Sequence, residues 1–143
     1  KSFKVKYEIV PGITSGIGSA TYAGIPLTHR KYASSAVFVT GHEDPEKNEE
    51  IVKWKKLAKS VDTIVIMMGL SRIGIISKQL IDGGMKKTTP VAVIQNGTTP
   101  KQKMIVGTLT NISGKIKKEK MTPPANIIIG EVVKLHKTIG WKK

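Results

Sequence analysis

Three apolar runs in the chain show no alternation with polar residues: Thr63–Met68 (TIVIMM), Pro90–Gln95 (PVAVIQ) and the opening of Asn126–Val133 (NIIIGEVV). A strand with one wet face repeats apolar and polar side chains with period two, so unbroken runs belong to strands covered on both faces. Between and around them stand stretches with helical spacing. Ile51, Trp54, Leu57, Ala58 and Val61 recur every three to four residues, as do Ile73, Ile76, Leu80 and Ile81, which Gly83-Gly84 stop. Strand, helix, strand, helix, strand is the order of a layered α/β domain.

The remaining segments fill in that frame. Ser34–Thr40 (SSAVFVT) reads as a strand closed by Gly41, and Glu43–Glu50 as a loop leading into the Trp54 helix. Ile13, Ile17, Ala20 and Gly24 predict a short glycine-rich helix after Pro11-Gly12. Lys103–Leu109 predicts a strand pairing antiparallel with Pro90–Gln95 through the TTPKQ turn. Asn126–Val133 is taken whole as the last strand, Lys115–Met121 as a charged peripheral segment, and Leu135–Trp141 as a tail. The expected fold is a three-layer α/β/α domain with a mixed, mostly parallel five-stranded sheet and right-handed crossovers.

Composition limits what such a domain does. A length of 143 residues suits one core, and the lack of cysteine excludes a disulfide scaffold and a thiolate metal site. No apolar run reaches the ~18–20 residues of a membrane span, so a cytoplasmic protein with no membrane partner is expected. The net charge of +14 calls for an anion. Yet 22 of the 24 cations are lysines, Arg30 and Arg72 are the only arginines, and aromatic residues are few. Readers of bases and phosphates rely on arginine forks and stacking rings, so most of this charge reads as a solvated coat. A basic nucleic-acid-binding module stands as the alternative from another class. The one dense cluster is Lys115, Lys117, Lys118 and Lys120.

Common catalytic signatures are missing from the sequence. His29, His42 and His136 have no metal-binding spacing, and neither a G-x-S-x-G elbow nor a phosphate-binding glycine loop occurs. What recurs is a small or polar break where each apolar run meets its loop: Gly41-His42, Met68-Gly69-Leu70, Asn96-Gly97-Thr98 and Pro124-Ala125. In open α/β sheets ligands bind beyond the carboxyl ends of strands, and small residues there let a flat ligand approach the backbone.

Taken in order, VPGITSGIGSATYAGIPLTHR, FVTGH, MMGL, TPVAVIQNGTTPKQ and PPANIIIGEVV resemble the second half of the tetrapyrrole (corrin/porphyrin) methylases, in their uroporphyrinogen-III C-methylating branch. The resemblance runs from about Val10 to Trp141. It implies methyl transfer from S-adenosyl-L-methionine to uroporphyrinogen III, yielding precorrin-2 for sirohaem and cobalamin and leaving S-adenosyl-L-homocysteine. A sister methyltransferase acting on another precorrin is the close alternative. It also implies a two-domain α/β homodimer, of which residues 1–143 form the C-terminal domain, with the N-terminal domain absent from this chain and needed for activity. Thr14, Ser15, Met68, Gly97 and Ala125 match the family's cofactor positions. The GIPLTHRK loop offers His29, Arg30 and Lys31 for the substrate's carboxylates. No catalytic acid–base residue and no metal ligand are expected.

Overall fold

A computed structural model describes residues 5–41 and 52–140; His42, the 43–51 stretch and Trp141 lie outside the described residues. In chain order the elements are α1 (Ser15–Tyr22), β1 (Ala36–Thr40), α2 (Trp54–Ser60), β2 (Thr63–Met67) and α3 (Ile73–Asp82). They continue as β3 (Pro90–Gln95), β4 (Lys103–Thr108), α4 (Ile112–Lys118), β5 (Ala125–Ile129) and α5 (His136–Ile139). Short 3-10 turns at Leu70–Arg72 and Glu131–Leu135 follow β2 and β5.

The five strands among the described residues form one mixed sheet in the order β1-β2-β5-β3-β4. β1 and β2 pair in parallel, with Ala36 opposite Thr63 and Thr40 opposite Met67. The other three pairings, β2 with β5, β5 with β3 and β3 with β4, are antiparallel. The sheet is thus less parallel than expected. β1, β2 and β3 still point the same way, because β5 runs against both β2 and β3. An apolar run marks a covered strand but carries no sign of its direction; the connections set that.

Alternation along the covered strands divides the core in two. Ile64, Ile66, Val91, Val93, Ile127 and Ile129 pack toward α2, α3 and α4. Ala92, Ile94 and Ile128 face the other way, against Ala20 and Ala23 at α1 and against Val132 and Val133. Helical layers therefore cover both faces, which is the expected three-layer arrangement. Each fully buried aliphatic side chain contributes on the order of 1.5–3 kcal/mol.

Three local expectations change. Ile13 and Ile17 do not form the buried face of α1; Ile13 is 82% exposed, and Gly16, Ser19 and Ala20 are buried instead. The helix lies so close to the sheet that a Cβ at Gly16 would come within 2.8 Å of Phe38 Cε1. Only small residues fit there. The charged Lys115–Met121 segment belongs to a helix, α4, that is anchored in the core by Ile112 and Ile116. It closes with a Schellman cap: Met121 N–H donates to Ile116 O and Lys120 N–H to Lys117 O, with Lys120 at φ 51°. Finally, β5 ends at Ile129 and not at Val133. Gly130, at φ 145°, turns the chain into the 3-10 segment, and a Cβ there would meet Asp62 O at 2.6 Å.

Candidate functional site

The carboxyl ends of β2 and β3 and the amino end of β5 lie at one end of the sheet. They open into a cleft of about 960 Å³. Met67, Met68 and Leu70 line one side, Asn96 and Gly97 another, and Pro124 and Ala125 the entry into β5. The start of α1 contributes Ser15 and Ser19. One face of α4 adds Ser113, Ile116 and Lys117, whose three- and four-residue spacing aligns them. Met121, positioned by the Schellman cap, completes that wall.

Backbone constraint concentrates at this end. Met68 (φ 55°), Asn96 (φ 49°) and Thr98 (φ 70°) all occupy the left-handed region, which is costly for a β-branched residue such as threonine. Hydrogen bonds hold the turn in place: Thr98 N–H donates to Gln102 Oε1 at 2.8 Å, and Thr99 Oγ1 donates to Asn96 O at 2.8 Å. The loops after β1 and β2 also touch. A Cβ at Gly41 would lie 2.3 Å from Gly69 Cα, and Gly41 N–H donates to Met67 O at 2.7 Å. As a result, the Met67–Met68 wall is braced from behind.

A buried amide organises the α1 side. Asn126 Nδ2 donates to Ser15 O at 3.1 Å and to Ser19 Oγ at 2.8 Å, and Ser15 Oγ donates to Asn126 Oδ1 at 3.5 Å. Buried amides are costly unless paired, so this network holds the start of α1 against β5. Gly97 serves the same junction, since a Cβ there would lie 2.2 Å from Ser19 Oγ. Sequence reasoning missed Ser19 and Asn126. The available signal was an amide at the head of the otherwise apolar NIII run.

The structure brings Ser15, Met68, Gly97 and Ala125 together on the cleft wall. Thr14 adjoins them. Its carbonyl accepts from Ile17 and Gly18 N–H at 3.0 Å, and its hydroxyl makes no cap hydrogen bond, donating instead to Met67 Sδ at 3.9 Å. His29, Arg30 and Lys31 are not among the residues that line the cleft. Their loop is closed by His29 N–H donating to Ala33 O at 2.8 Å, just before β1 begins. The Asp62 carboxylate, at the start of β2, holds the residues that lead into β1: it accepts from the backbone N–H groups and hydroxyls of Ser34 and Ser35 at 2.9–3.1 Å. The cleft is at the opposite end of β1 and β2, about 13 Å away along the strands. The N–H of Ser34, followed by the hydroxyls of Ser35 and Ser34, holds the Asp62 carboxyl below its usual pKa.

Lys117 is, among the described residues, the only charged side chain on the cleft wall, and no acidic one lines it. Among the described residues, no group of three or more His, Cys, Asp or Glu could hold a metal ion, and no helix is long and apolar enough to cross a membrane.

Comparison with known proteins adds to this geometry. Residues 2–113 match the model of a family described as Tetrapyrrole (Corrin/Porphyrin) Methylases. The siroheme synthase of Nitrosomonas eutropha is 48% identical over 138 residues, which are 96% of this chain and 29% of that protein. An S-adenosyl-L-methionine-dependent uroporphyrinogen III methyltransferase of Methanosarcina barkeri is 46% identical, over 98% of this chain and 55% of its own length. Among solved structures, uroporphyrin-III C-methyl transferase from Thermus thermophilus, complexed with S-adenosyl homocysteine, superposes with a TM-score of 0.76 at 31% identity. That match covers 94% of this chain and 54% of the other. The chain therefore spans from about a third to about half the length of these relatives.

Proposed function

The chain belongs to the tetrapyrrole (corrin/porphyrin) methylases, and from that premise we propose that it is the C-terminal domain of an S-adenosyl-L-methionine-dependent uroporphyrinogen-III C-methyltransferase. The observation that carries this reading is the gathering of Ser15, Met68, Gly97 and Ala125 on one cleft at the strand ends. The longer relatives support a companion domain that completes the cleft, and the family resemblance supports assembly as a homodimer.

The residues present fit such a cofactor. A volume of about 960 Å³ is at the upper end of ordinary ligand sites, which leaves room for a nucleoside with part of a second ligand. Met67 and Met68 offer polarizable thioethers to a flat ring. Gly97 and Ala125 let that ring reach the backbone, and Ser15 presents a hydroxyl at its edge. When bound, the cofactor supplies a methyl group activated as a sulfonium. The chain's own residues hold the reactants in line and exclude water, which is worth several kcal/mol, roughly 7–11 at the upper limit. In this reading no side chain serves as a general base: the electron-rich pyrrole provides the push, and the N–H proton it gives up for each methyl group gained passes to solvent. His29, Arg30 and Lys31 do not line the part of the cleft that this chain forms, so their contact with the substrate's carboxylates, in this reading, falls outside it.

Calorimetry of the chain with S-adenosyl-L-homocysteine tests the reading. Binding that Ala125→Leu abolishes supports it; equal binding by both proteins refutes the assignment of the cleft. The complete protein, given donor and uroporphyrinogen III, should raise the product mass by two CH2 units, one proton being lost for each methyl group gained.

A further inference from the structure

The lysine cluster of α4 is not uniform. Lys115 Nζ donates to Val106 O at 2.8 Å on the sheet side of the helix. The neighbouring Lys103 is tied to Glu119, through the backbone oxygen at 2.8 Å and the carboxylate at 3.4 Å. Lys117 differs from both: it shares the cleft face with Ser113 and Ile116, and its ammonium has no hydrogen bond or ion pair with the described residues. With one cation and no anion on its wall among the described residues, the α4 side of the cleft favours a ligand that presents a carboxylate there.

Resting on the methyltransferase reading, we infer that Lys117 is a specificity-determining residue that pairs with a carboxylate arm of the tetrapyrrole substrate. The methyl donor's amino-acid end is a poorer match. Its carboxylate is accompanied by an ammonium that would repel Lys117, whereas the macrocycle carries acidic arms with no cation beside them. Position agrees with this: Lys117 is exposed at the rim, and Gly97 and Ala125, assigned to the donor, stand at the strand ends. An exposed ammonium suits an arm that stays partly in water and lends selectivity more than raw affinity.

The test titrates the chain with uroporphyrin III, the stable oxidised form of the macrocycle, by fluorescence quenching, and with S-adenosyl-L-homocysteine by calorimetry. Wild type, Lys117→Ala, Lys117→Arg and Lys117→Glu are compared, with thermal unfolding as a check on folding. Lys117→Ala should weaken uroporphyrin binding roughly three- to tenfold. Lys117→Glu should weaken it further and Lys117→Arg should retain it, while nucleoside binding stays unchanged. The difference should shrink as salt is raised. Uroporphyrin affinity unchanged in Lys117→Ala overturns the inference while leaving the cleft reading intact. An equal loss for both ligands assigns Lys117 to the donor or to the fold and also overturns it. If the wild-type chain binds neither ligand, the same titrations are made on the complete protein and its Lys117→Ala variant: binding there that the variant does not weaken overturns the inference, and no binding there overturns the cleft reading.

Discussion

Asn126 Nδ2 donates to Ser19 Oγ at 2.8 Å, joining the first residues of β5 to the buried face of α1 directly behind the cleft. Replacing Asn126 by Ala leaves Ser19 Oγ and Ser15 O without this donor. The expected cost is about 1–3 kcal/mol of stability, measured by urea unfolding. S-adenosyl-L-homocysteine affinity should fall with it, because Ser15 loses its tether.

Gly97 and Ser19 are coupled sterically. Gly97→Ala places a methyl group 2.2 Å from Ser19 Oγ, so one element must move. The variant should lose roughly 1–3 kcal/mol. Ser19→Gly in the same chain should restore part of that loss, and a double-mutant cycle reads the coupling. Purely additive effects would show that the two residues do not meet.

Lys120 occupies the left-handed cap of α4, at φ 51°. Glycine adopts this conformation without the Cβ penalty, so Lys120→Gly should raise stability by about 0.5–1 kcal/mol despite its greater freedom when unfolded. A rise in melting temperature of a few degrees checks this.

Asp62 predicts an acid sensitivity at the end of the sheet away from the cleft. Its folded pKa lies below the ordinary value, chiefly through the Ser34 N–H and the hydroxyls of Ser35 and Ser34. The stabilisation is therefore fully present above the unfolded pKa and is lost as pH falls through the folded one. Asp62→Asn should melt earlier than wild type at neutral pH, and the two curves should converge in acid. Nucleoside binding should be the same in both.

Much of the fold is legible in the sequence because its strands are unbroken apolar runs. β2, β3 and β4 fall within a residue of their expected limits. Strand direction is not legible, since TIVIMM and NIIIG look alike whichever way they run; yet one pairs in parallel with β1 and the other runs against both neighbours. The core role of α4 was hidden because lysines outnumber the two isoleucines that anchor it. At the cleft, the small breaks after strands were readable as local chemistry. Asn126 left a trace, as the amide heading an apolar run, but Ser19 and Lys117 acquire their places only when α1 and α4 cross the strand ends.

The position of β5 has a consequence for how the molecule assembles. β1 with β2, and β3 with β4, are each local units, and of the five described strands the one that comes last in sequence lies between them. Until Ala125–Ile129 is available, β2 and β3 each present an open edge of unpaired backbone groups, the kind of edge through which chains associate wrongly. The sheet closes in one non-local step, which makes for slow folding. A nascent chain halted just short of Ala125 should thus hold two half-sheets and no finished cleft.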